Sequence, residues 1–177
     1  MNYFFKEMNS PVGRLKLVGS DRGLAAVLWE DDDPKRVRIR EYMRDDDHPV
    51  LVEAEKQLKE YFAGSRKDFT LELDPMGTDF QKEVWKALAA IPYGETRSYS
   101  DIAREIGNVK AVRAVGAANG KNPISIVVPC HRVVGASGEL TGFAGGLEAK
   151  ACLLSLEGVE VYKNGGTVNQ VEMGLSD

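Results

Sequence analysis

The sequence predicts an α+β protein in which a small N-terminal domain containing a sheet precedes a mostly helical C-terminal domain with a helix-turn-helix. Three observations support this prediction. Residues 13–20 and 24–29 are runs of strand length separated by a turn-forming Asp-Arg-Gly. From Thr78 onward, apolar residues recur at helical spacing. Within residues 98–120, two short helical segments joined by a Gly-containing turn have the pattern of a helix-turn-helix.

The domain boundary is predicted where the period of the apolar residues changes. Asp74-Pro75-Met76-Gly77 has the composition of a joint between domains. We therefore predict an N-terminal α/β domain at residues 1–75 and a second, mostly helical domain at residues 76–162. The tail at residues 163–177 has little apolar content and is predicted to be disordered.

The N-terminal domain is predicted to contain an antiparallel pair of strands and one helix. The strand at residues 13–20 alternates apolar and polar positions, and residues 24–29 are its partner. The charged residues 30–36 are predicted to form a loop that runs into a helix, and Asp45-Asp46-Asp47 a second, solvated loop. Helical spacing returns over Val50–Phe62, just before a glycine.

Three helices are predicted early in the C-terminal domain. Thr78 and Gln81 have the spacing of a capping box, which begins a helix that ends before Pro92. Ser98 is the predicted N-cap of a second helix, which Gly107 stops. A third helix is predicted over residues 111–118. A helix-turn-helix occurs in proteins of many kinds, so this pattern alone is weak evidence for DNA binding.

Composition limits the class of protein. The chain has 177 residues, of which 43% are hydrophobic and 28% are charged, as in a soluble globular protein. The sequence contains no apolar run of membrane-spanning length and no signal-peptide core, so no membrane association is expected. Two cysteines and two histidines favour a reducing cytoplasm over a disulfide framework and give no zinc-binding motif.

The distribution of charge is more informative than its total. The net charge is −4, yet residues 97–132 contain six Lys/Arg against two Asp/Glu. A basic segment in an acidic protein is typical of a surface that faces phosphate groups. A solvated face without a partner explains the charge equally well.

The tetrapeptide Pro129-Cys130-His131-Arg132 is the strongest chemical signal in the chain. It follows an apolar run at residues 124–128, which is predicted to be a buried extended segment. A thiolate is a strong nucleophile, and a neighbouring base or cation favours its formation. The alternative is that Cys130 is a small buried hydrophobic residue, which is the usual role of a free cysteine. We assign that core role to Cys152.

The surrounding residues resemble those of the O6-alkylguanine-DNA alkyltransferases, the methylated-DNA–protein-cysteine methyltransferases. The resemblance covers Thr78 to Gly158 and is specific, because several motifs occur together at matching spacing. The residues that carry it are Tyr99, Arg113, Asn122, Pro129-Cys130-His131-Arg132-Val133, Gly142-Phe143-Ala144-Gly145-Gly146-Leu147 and Glu157. The N-terminal part fits the family only in outline.

The resemblance implies an enzyme that reverses DNA damage directly. The alkyl group of O6-alkylguanine, and as a second candidate that of O4-methylthymine, passes irreversibly to one cysteine in a single turnover. Cys130 is the implied acceptor. His131 is the implied base for the thiol proton, through a bound water, and Glu157 orients His131. Asn122 is implied to brace the turn that carries Cys130.

The resemblance also implies how DNA is bound. The partner is double-stranded DNA containing O6-alkylguanine, whose damaged nucleotide is flipped out of the duplex. The second helix of the helix-turn-helix enters the minor groove, where Arg113 fills the vacated stack. Tyr99 crowds the phosphate of the target nucleotide and donates toward the flipped base. Backbone groups of Cys130, Val133 and Ala144 contact the guanine edge, with Arg132 and the ring of Phe143 also assigned to the DNA-binding set.

Phe143 is a departure from the family pattern, because many members have a tyrosine there. The aromatic face is kept and a hydroxyl is lost, which puts one hydrogen bond in question. The resemblance implies no cofactor and no metal, a monomer, and a cytoplasmic location associated with the nucleoid on DNA.

Three other functions compete with this one. Alkyltransferase-like proteins bind alkylated DNA without transferring the alkyl group, but they lack the acceptor cysteine. Alkylation-sensing transcription regulators need a further zinc-cysteine domain and a second DNA-binding module, for which this chain is short of residues and cysteines. A thiol protease is the weakest alternative, because it rests on the Cys-His pair alone.

Overall fold

The structure is a computed structural model that describes residues 2–163 and 166–168, with side chains described to residue 161. The chain groups into two compact units, and the predicted α+β class is confirmed. The first unit contains the chain up to Gly77 together with Pro123–Val127, and the second contains Thr78–Asn122 and the chain from Val128 onward. The predicted boundaries did not assign Pro123–Val127 to the first unit.

The first unit is built on a four-stranded sheet in the order β3-β2-β1-β4. Its strands are β1 (Phe4–Met8), β2 (Leu15–Ser20), β3 (Gly23–Trp29) and β4 (Met43–Arg44). The predicted antiparallel pair is confirmed as β2 and β3, while β1 and the short parallel β4 were not predicted. Gly23 is required by close packing, since a Cβ there would lie 2.6 Å from the carbonyl oxygen of Glu72.

The prediction of a helix after residues 30–36 is wrong. Within residues 30–48 the structure has turns and the two residues of β4, but no helix. Asp32 organises this segment, because its carboxylate accepts hydrogen bonds from the Trp29 N–H at 3.3 Å and from Arg36 Nε at 2.7 Å. Acidic side chains that bond nearby backbone groups stabilise turns in competition with a helix.

Helix α1 (Pro49–Phe62) packs on this sheet and confirms the helix predicted over residues 50–62. It begins one residue earlier than predicted because Pro49 occupies the first turn and His48 is the N-cap. The His48 side chain accepts from the Val50 N–H at 3.3 Å. The buried face of α1 consists of Leu51, Ala54, Gln57, Leu58 and Tyr61.

The second unit contains the remaining helices, namely α2 (Asp79–Ala89), α3 (Tyr99–Glu105), α4 (Val112–Gly120) and α5 (Leu147–Leu156). The capping box of Thr78 and Gln81 is confirmed, and Ser98 forms a second box with Asp101. The Trp85 indole N–H donates to the Ala118 carbonyl at 2.8 Å, which joins α2 to α4. Helices α3 and α4 form the predicted helix-turn-helix.

Two pairs of short strands complete the second unit. Strand β5 (Arg97–Ser98) pairs in parallel with β6 (Val133–Val134), and β7 (Val161–Lys163) pairs antiparallel with β8 (Gly166–Val168). Of the tail at residues 163–177, which is predicted to be disordered, Lys163 and Gly166–Val168 belong to these strands. The rest of the tail lies outside the described residues. In the described part of the chain, none of the helices has both the length and the apolar character needed to cross a bilayer.

Candidate active site

The segment before Cys130 is buried, as predicted, but it is not a strand. Ile126 has φ +74°, and the Val127 N–H donates to the Ser125 carbonyl at 2.9 Å, which makes a three-residue turn. A positive φ at a β-branched residue is strained by about 1–3 kcal/mol, so its surroundings must hold it in place. Two hydrogen bonds do so within the first unit. Val27 N–H donates to the Pro123 carbonyl at 2.9 Å, and the Trp29 indole N–H donates to Ser125 Oγ at 3.1 Å.

A second tight turn brings the chain into Cys130. Pro129 has φ −81° and ψ 65°, and the Cys130 N–H donates to the Val128 carbonyl at 2.8 Å, which is an inverse γ-turn. The Asn122 Nδ2 donates to the same carbonyl at 2.8 Å from a fully buried side chain. Asn122 therefore lies where a residue bracing this turn must lie. Cys130 then begins a single 3₁₀ turn that ends at Arg132.

His131 is completely buried and is held by Glu157. The distance from His131 Nε2 to Glu157 Oε2 is 2.8 Å. Because a carboxylate only accepts, Nε2 carries the proton and Nδ1 has the lone pair. Among the described residues, Nδ1 has no hydrogen-bond partner. Burial, with smaller contributions from the Arg132 and Lys150 cations, lowers the pKa of His131 despite the opposing effect of Glu157. A neutral imidazole with an unpaired Nδ1 is suited to accept a proton.

The assignment of Arg132 to the DNA-binding set is corrected by its position. Its guanidinium is buried, with Nε 2.8 Å from Glu157 Oε1 and Nη2 3.0 Å from Glu157 Oε2. Arg132 Nη1 donates to the Ile91 carbonyl at 2.6 Å. A buried guanidinium that is engaged in these contacts is not available to bind a phosphate of DNA. Arg132 instead fixes and partly neutralises the carboxylate that holds His131.

The loop after α2 closes over this ion pair, and sequence reasoning did not find its role. The Tyr93 hydroxyl donates to the Leu156 carbonyl at 3.2 Å, and the Arg132 guanidinium lies 5.7 Å from the centre of the Tyr93 ring. The Gly94 N–H donates to Glu157 Oε1 at 3.4 Å. The sequence predicted that the helix ends before Pro92, but it did not identify what the following loop covers.

The two cysteines differ in their surroundings. Both are buried, but Cys130 follows a tight turn and directly precedes His131, while Cys152 lies within α5. Burial raises the pKa of the Cys152 thiol to about 11, which keeps it protonated at neutral pH. The predicted core role of Cys152 fits this position.

Two family models match the chain on either side of residues 76–78. Residues 79–159 match the model described as "6-O-methylguanine DNA methyltransferase, DNA binding domain". Residues 4–75 match the "6-O-methylguanine DNA methyltransferase, ribonuclease-like domain". The chain belongs to the 6-O-methylguanine DNA methyltransferase family.

Relatives and solved structures agree with this membership. A methylated-DNA–protein-cysteine methyltransferase of Methanosarcina acetivorans is 49% identical over 155 residues, which are 88% of this chain and 98% of the relative. A protein of the same name from Mycolicibacterium paratuberculosis is 50% identical, covering 86% and 91%. The crystal structure of Mycobacterium tuberculosis OGT in complex with DNA superposes with a TM-score of 0.79 at 48% identity, covering 89% of this chain and 92% of that one.

In this family member the helix-turn-helix carries Arg113 at the start of α4, where its side chain is exposed. Tyr99, the first residue of α3, is half-buried and its hydroxyl lies 2.6 Å from Thr141 Oγ1. A Cβ at Gly116 would lie 3.8 Å from the Tyr99 ring, so α4 passes close to that ring. The structure thus brings Tyr99 to the loop that contains Phe143 and Ala144.

The other residues assigned to the guanine edge lie in different environments. The Val133 N–H already donates to the Cys130 carbonyl, so that N–H is not available to a base. Ala144 is exposed and the Phe143 ring is half-buried. Within the described part of the chain, no group of three or more His, Cys, Asp or Glu side chains is placed to hold a metal ion.

Sequence reasoning also missed Lys150, a lysine with no exposed surface. It lies on α5, where the flanking Ala149 and Ala151 and the following Cys152-Leu153-Leu154 are all buried. A lysine within such an apolar run was the available signal, because lysine is almost never fully buried without a partner.

Proposed function

We propose that this protein repairs O6-alkylguanine in DNA by transferring the alkyl group to Cys130 in a single, irreversible turnover. The observation that carries the proposal is the buried sequence of contacts behind Cys130. His131 follows the cysteine, Glu157 binds His131 Nε2, and Arg132 binds both oxygens of Glu157. This arrangement supplies a nucleophile, a base and a group that orients the base.

The transfer is a displacement at the alkyl carbon. His131 Nδ1 takes the thiol proton, with a bridging water as the route implied by the resemblance, and Glu157 stabilises the imidazolium that forms. The Cys130 sulfur then forms a bond to carbon as the bond from carbon to O6 of guanine breaks. The electron pair of that bond leaves with guanine, which takes up a proton. The thioether is stable, so the protein is consumed with its substrate.

The exposed face of α4 is the proposed contact with the minor groove. Among the described residues, Lys110, Arg113 and Lys121 form no ion pair, and all three are exposed on or beside this helix. Ala114 and Ala117, also exposed, are small enough to let the helix backbone approach the duplex. Arg113 then fills the space left by the flipped nucleotide, and Tyr99 donates toward the extrahelical base. Flipping costs a few kcal/mol, which these contacts offset.

The test of the proposed function is mass spectrometry after mixing the protein with a duplex containing O6-methylguanine. We expect one added methyl group on the peptide that contains Cys130. Cys130→Ala should bind the duplex but gain no methyl group, whereas the matched variant Cys152→Ala should be methylated like the wild type. DNA binding by the wild type without methylation would instead show a damage-binding protein of the alkyltransferase-like kind.

The groove and the oligomeric state need separate experiments. A minor-groove ligand such as distamycin should compete with binding, while methyl groups placed in the major groove should not weaken it. Sedimentation of the protein with a short duplex should show one protein molecule per damaged site. Competition only from major-groove modifications, or a dimer on one lesion, would contradict these parts of the proposal.

A further inference from the structure

Lys150 is a buried cation that the proposed transfer does not use. Lys150 has no exposed surface, and no carboxylate among the described residues forms an ion pair with its ammonium. An unpaired buried charge is costly, so its polar contacts carry unusual weight. Its ammonium donates to Thr141 Oγ1 at 3.0 Å and to the Thr141 carbonyl at 3.3 Å. Both contacts are to one residue of the loop between β6 and α5.

Thr141 connects this cation to Tyr99. The Thr141 hydroxyl oxygen lies 2.6 Å from the Tyr99 hydroxyl oxygen and 3.0 Å from Lys150 Nζ. A continuous line of hydrogen bonds therefore runs from α5 through the loop to the first residue of α3. The three residues are 42 and 9 positions apart in sequence, so only the fold brings them together.

The chemistry of the three groups favours one direction of donation. An ammonium only donates, so Thr141 Oγ1 accepts from Lys150. A hydroxyl that accepts from a cation is polarised and becomes a better donor. The Thr141 hydroxyl can then donate to the Tyr99 oxygen, which leaves the Tyr99 hydrogen to point at another acceptor.

We propose that Lys150 and Thr141 are positioning residues that turn and polarise the Tyr99 hydroxyl, so that it donates to the flipped base during alkyl transfer. This inference rests on the proposed function, because it needs a base at Tyr99. Negative charge develops on guanine as its bond to the alkyl carbon breaks. A donor that is already oriented stabilises that charge without reorganisation. Lys150 acts on Tyr99 through two successive hydrogen bonds, by way of Thr141.

The environment of Lys150 supports this role. Burial lowers the pKa of Lys150 to about 8, opposed by attraction to the Cys130 thiolate, and the Phe143 ring centre lies 6.0 Å from the ammonium. Lys150 in turn lowers the pKa of His131. The lysine is therefore still largely charged at neutral pH and interacts electrostatically with the proposed nucleophile and base.

A double-mutant cycle between Thr141 and Tyr99 tests the connection. The full-length protein would be mixed with excess duplex containing O6-methylguanine, and the single-turnover rate would be measured against duplex concentration. Thr141→Val keeps the shape of the side chain and the backbone contact to Lys150 but removes the hydroxyl. It should slow transfer at saturating duplex by about 3- to 10-fold, the size expected for one hydrogen bond, without changing the half-saturating concentration.

The background variant decides whether the effect passes through Tyr99. In a Tyr99→Phe protein, Thr141→Val should change the rate by less than about twofold, because the hydroxyl it acts on is gone. Thr141→Ser should restore the rate, because it restores the hydroxyl. Lys150→Met should likewise cost less in the Thr141→Val background than alone.

The outcomes separate this inference from the proposed function. If the wild type methylates Cys130 and the effects of the Thr141 and Tyr99 substitutions on the transfer rate multiply independently, the proposed positioning role is wrong and the repair function stands. If Thr141→Val raises only the half-saturating duplex concentration, or Thr141→Ser is as slow as Thr141→Val, the proposed positioning role is also wrong. If the wild type transfers no methyl group, both proposals fail together.

Discussion

The guanidinium of Arg132 binds both oxygens of the Glu157 carboxylate, at 2.8 Å from Nε to Oε1 and at 3.0 Å from Nη2 to Oε2. The same carboxylate accepts from His131 Nε2 at 2.8 Å. Glu157 is thus a buried anion shared between a permanent cation and an imidazole. Its negative charge is therefore held against the imidazole that becomes an imidazolium in the proposed mechanism.

Removing the permanent cation should destabilise the protein. Arg132→Met leaves Glu157 as a buried carboxylate with its bidentate partner missing, which commonly costs about 3–5 kcal/mol. We expect a loss of that size in the free energy of unfolding, measured with urea at pH 7. The matched control is Arg97→Met, because Arg97 forms an exposed ion pair with Glu95 at 3.1 Å in the same unit. That surface pair should contribute less than about 1 kcal/mol. Equal losses in both variants would show that the buried pair has no special role.

Glu157→Gln should slow alkyl transfer by about 10²- to 10³-fold, on the scale of other preorganised polar contacts. An amide cannot stabilise the imidazolium, and it removes the interaction that raises the pKa of His131 against the effect of burial. His131 becomes a weaker base, so loss of the thiol proton to solvent at high pH should partly rescue the rate. Single-turnover rates between about pH 6 and pH 9.5 would show this, a range that brackets a reference thiol.

Glu157→Gln is also expected to lower stability, because the amide places an N–H₂ group against donors of His131 or Arg132. The pH profile separates the two effects. A rate that is slow at every pH would assign Glu157 a structural role only. A rate equal to that of the wild type at pH 7 would remove Glu157 from the mechanism altogether.

Arg113→Ala should slow repair of duplex DNA far more than reaction with free O6-alkylguanine base. Arg113 is proposed to stabilise the flipped state, and the free base does not need to be flipped. Lys121→Ala is the control, since Lys121 is another exposed cation beside α4 but lies at the opposite end of the helix. It should weaken duplex binding modestly and leave the rate at saturating duplex unchanged. Equal slowing of Arg113→Ala on both substrates would place its role in the pocket or the fold.

The buried charge of Lys150 should make stability depend on pH. The pKa of Lys150 falls from 10.5 to about 8 in the folded protein because of burial. Between these pH values the unfolded state binds a proton at Lys150 that the folded state does not bind. The resulting destabilisation is complete below about pH 8 and is relieved as the pH rises from 8 to 10.5. Relative to Lys150→Met, the wild type should therefore gain about 3 kcal/mol over that range, at 1.36 kcal/mol per pKa unit.

Urea unfolding of the wild type and Lys150→Met, at intervals from pH 7 to pH 10.5, measures this difference. The contacts to Thr141 that Lys150→Met loses offset its stability from that of the wild type by a constant amount. They do not change how the difference between the two proteins varies with pH. Lys82→Met is the control, because Lys82 is exposed on α2 and has no burial cost to recover. A difference between Lys150→Met and wild type that stays constant with pH would contradict the buried cation.

Elements whose hydrogen bonds are local were predictable from the sequence. The β2–β3 pair follows from alternation around a turn, and the capping boxes at Thr78 and Ser98 are closed by residues three positions away. The motif around Cys130 likewise pointed to the proposed nucleophile and its neighbour His131, because the two residues are adjacent in the chain. These features depend on residues adjacent in the chain, so composition and spacing are sufficient to predict them.

The contacts of Arg132 and Lys150 with distant groups became apparent only in the folded protein. The resemblance placed Arg132 in the DNA-binding set, but its guanidinium binds a carboxylate 25 positions away. The line from Lys150 to Tyr99 and the strained turn at Ile126 were likewise not apparent from spacing. A buried polar or charged group must find a partner wherever the fold provides one, and that partner is fixed by the packing of separate elements rather than by the local sequence.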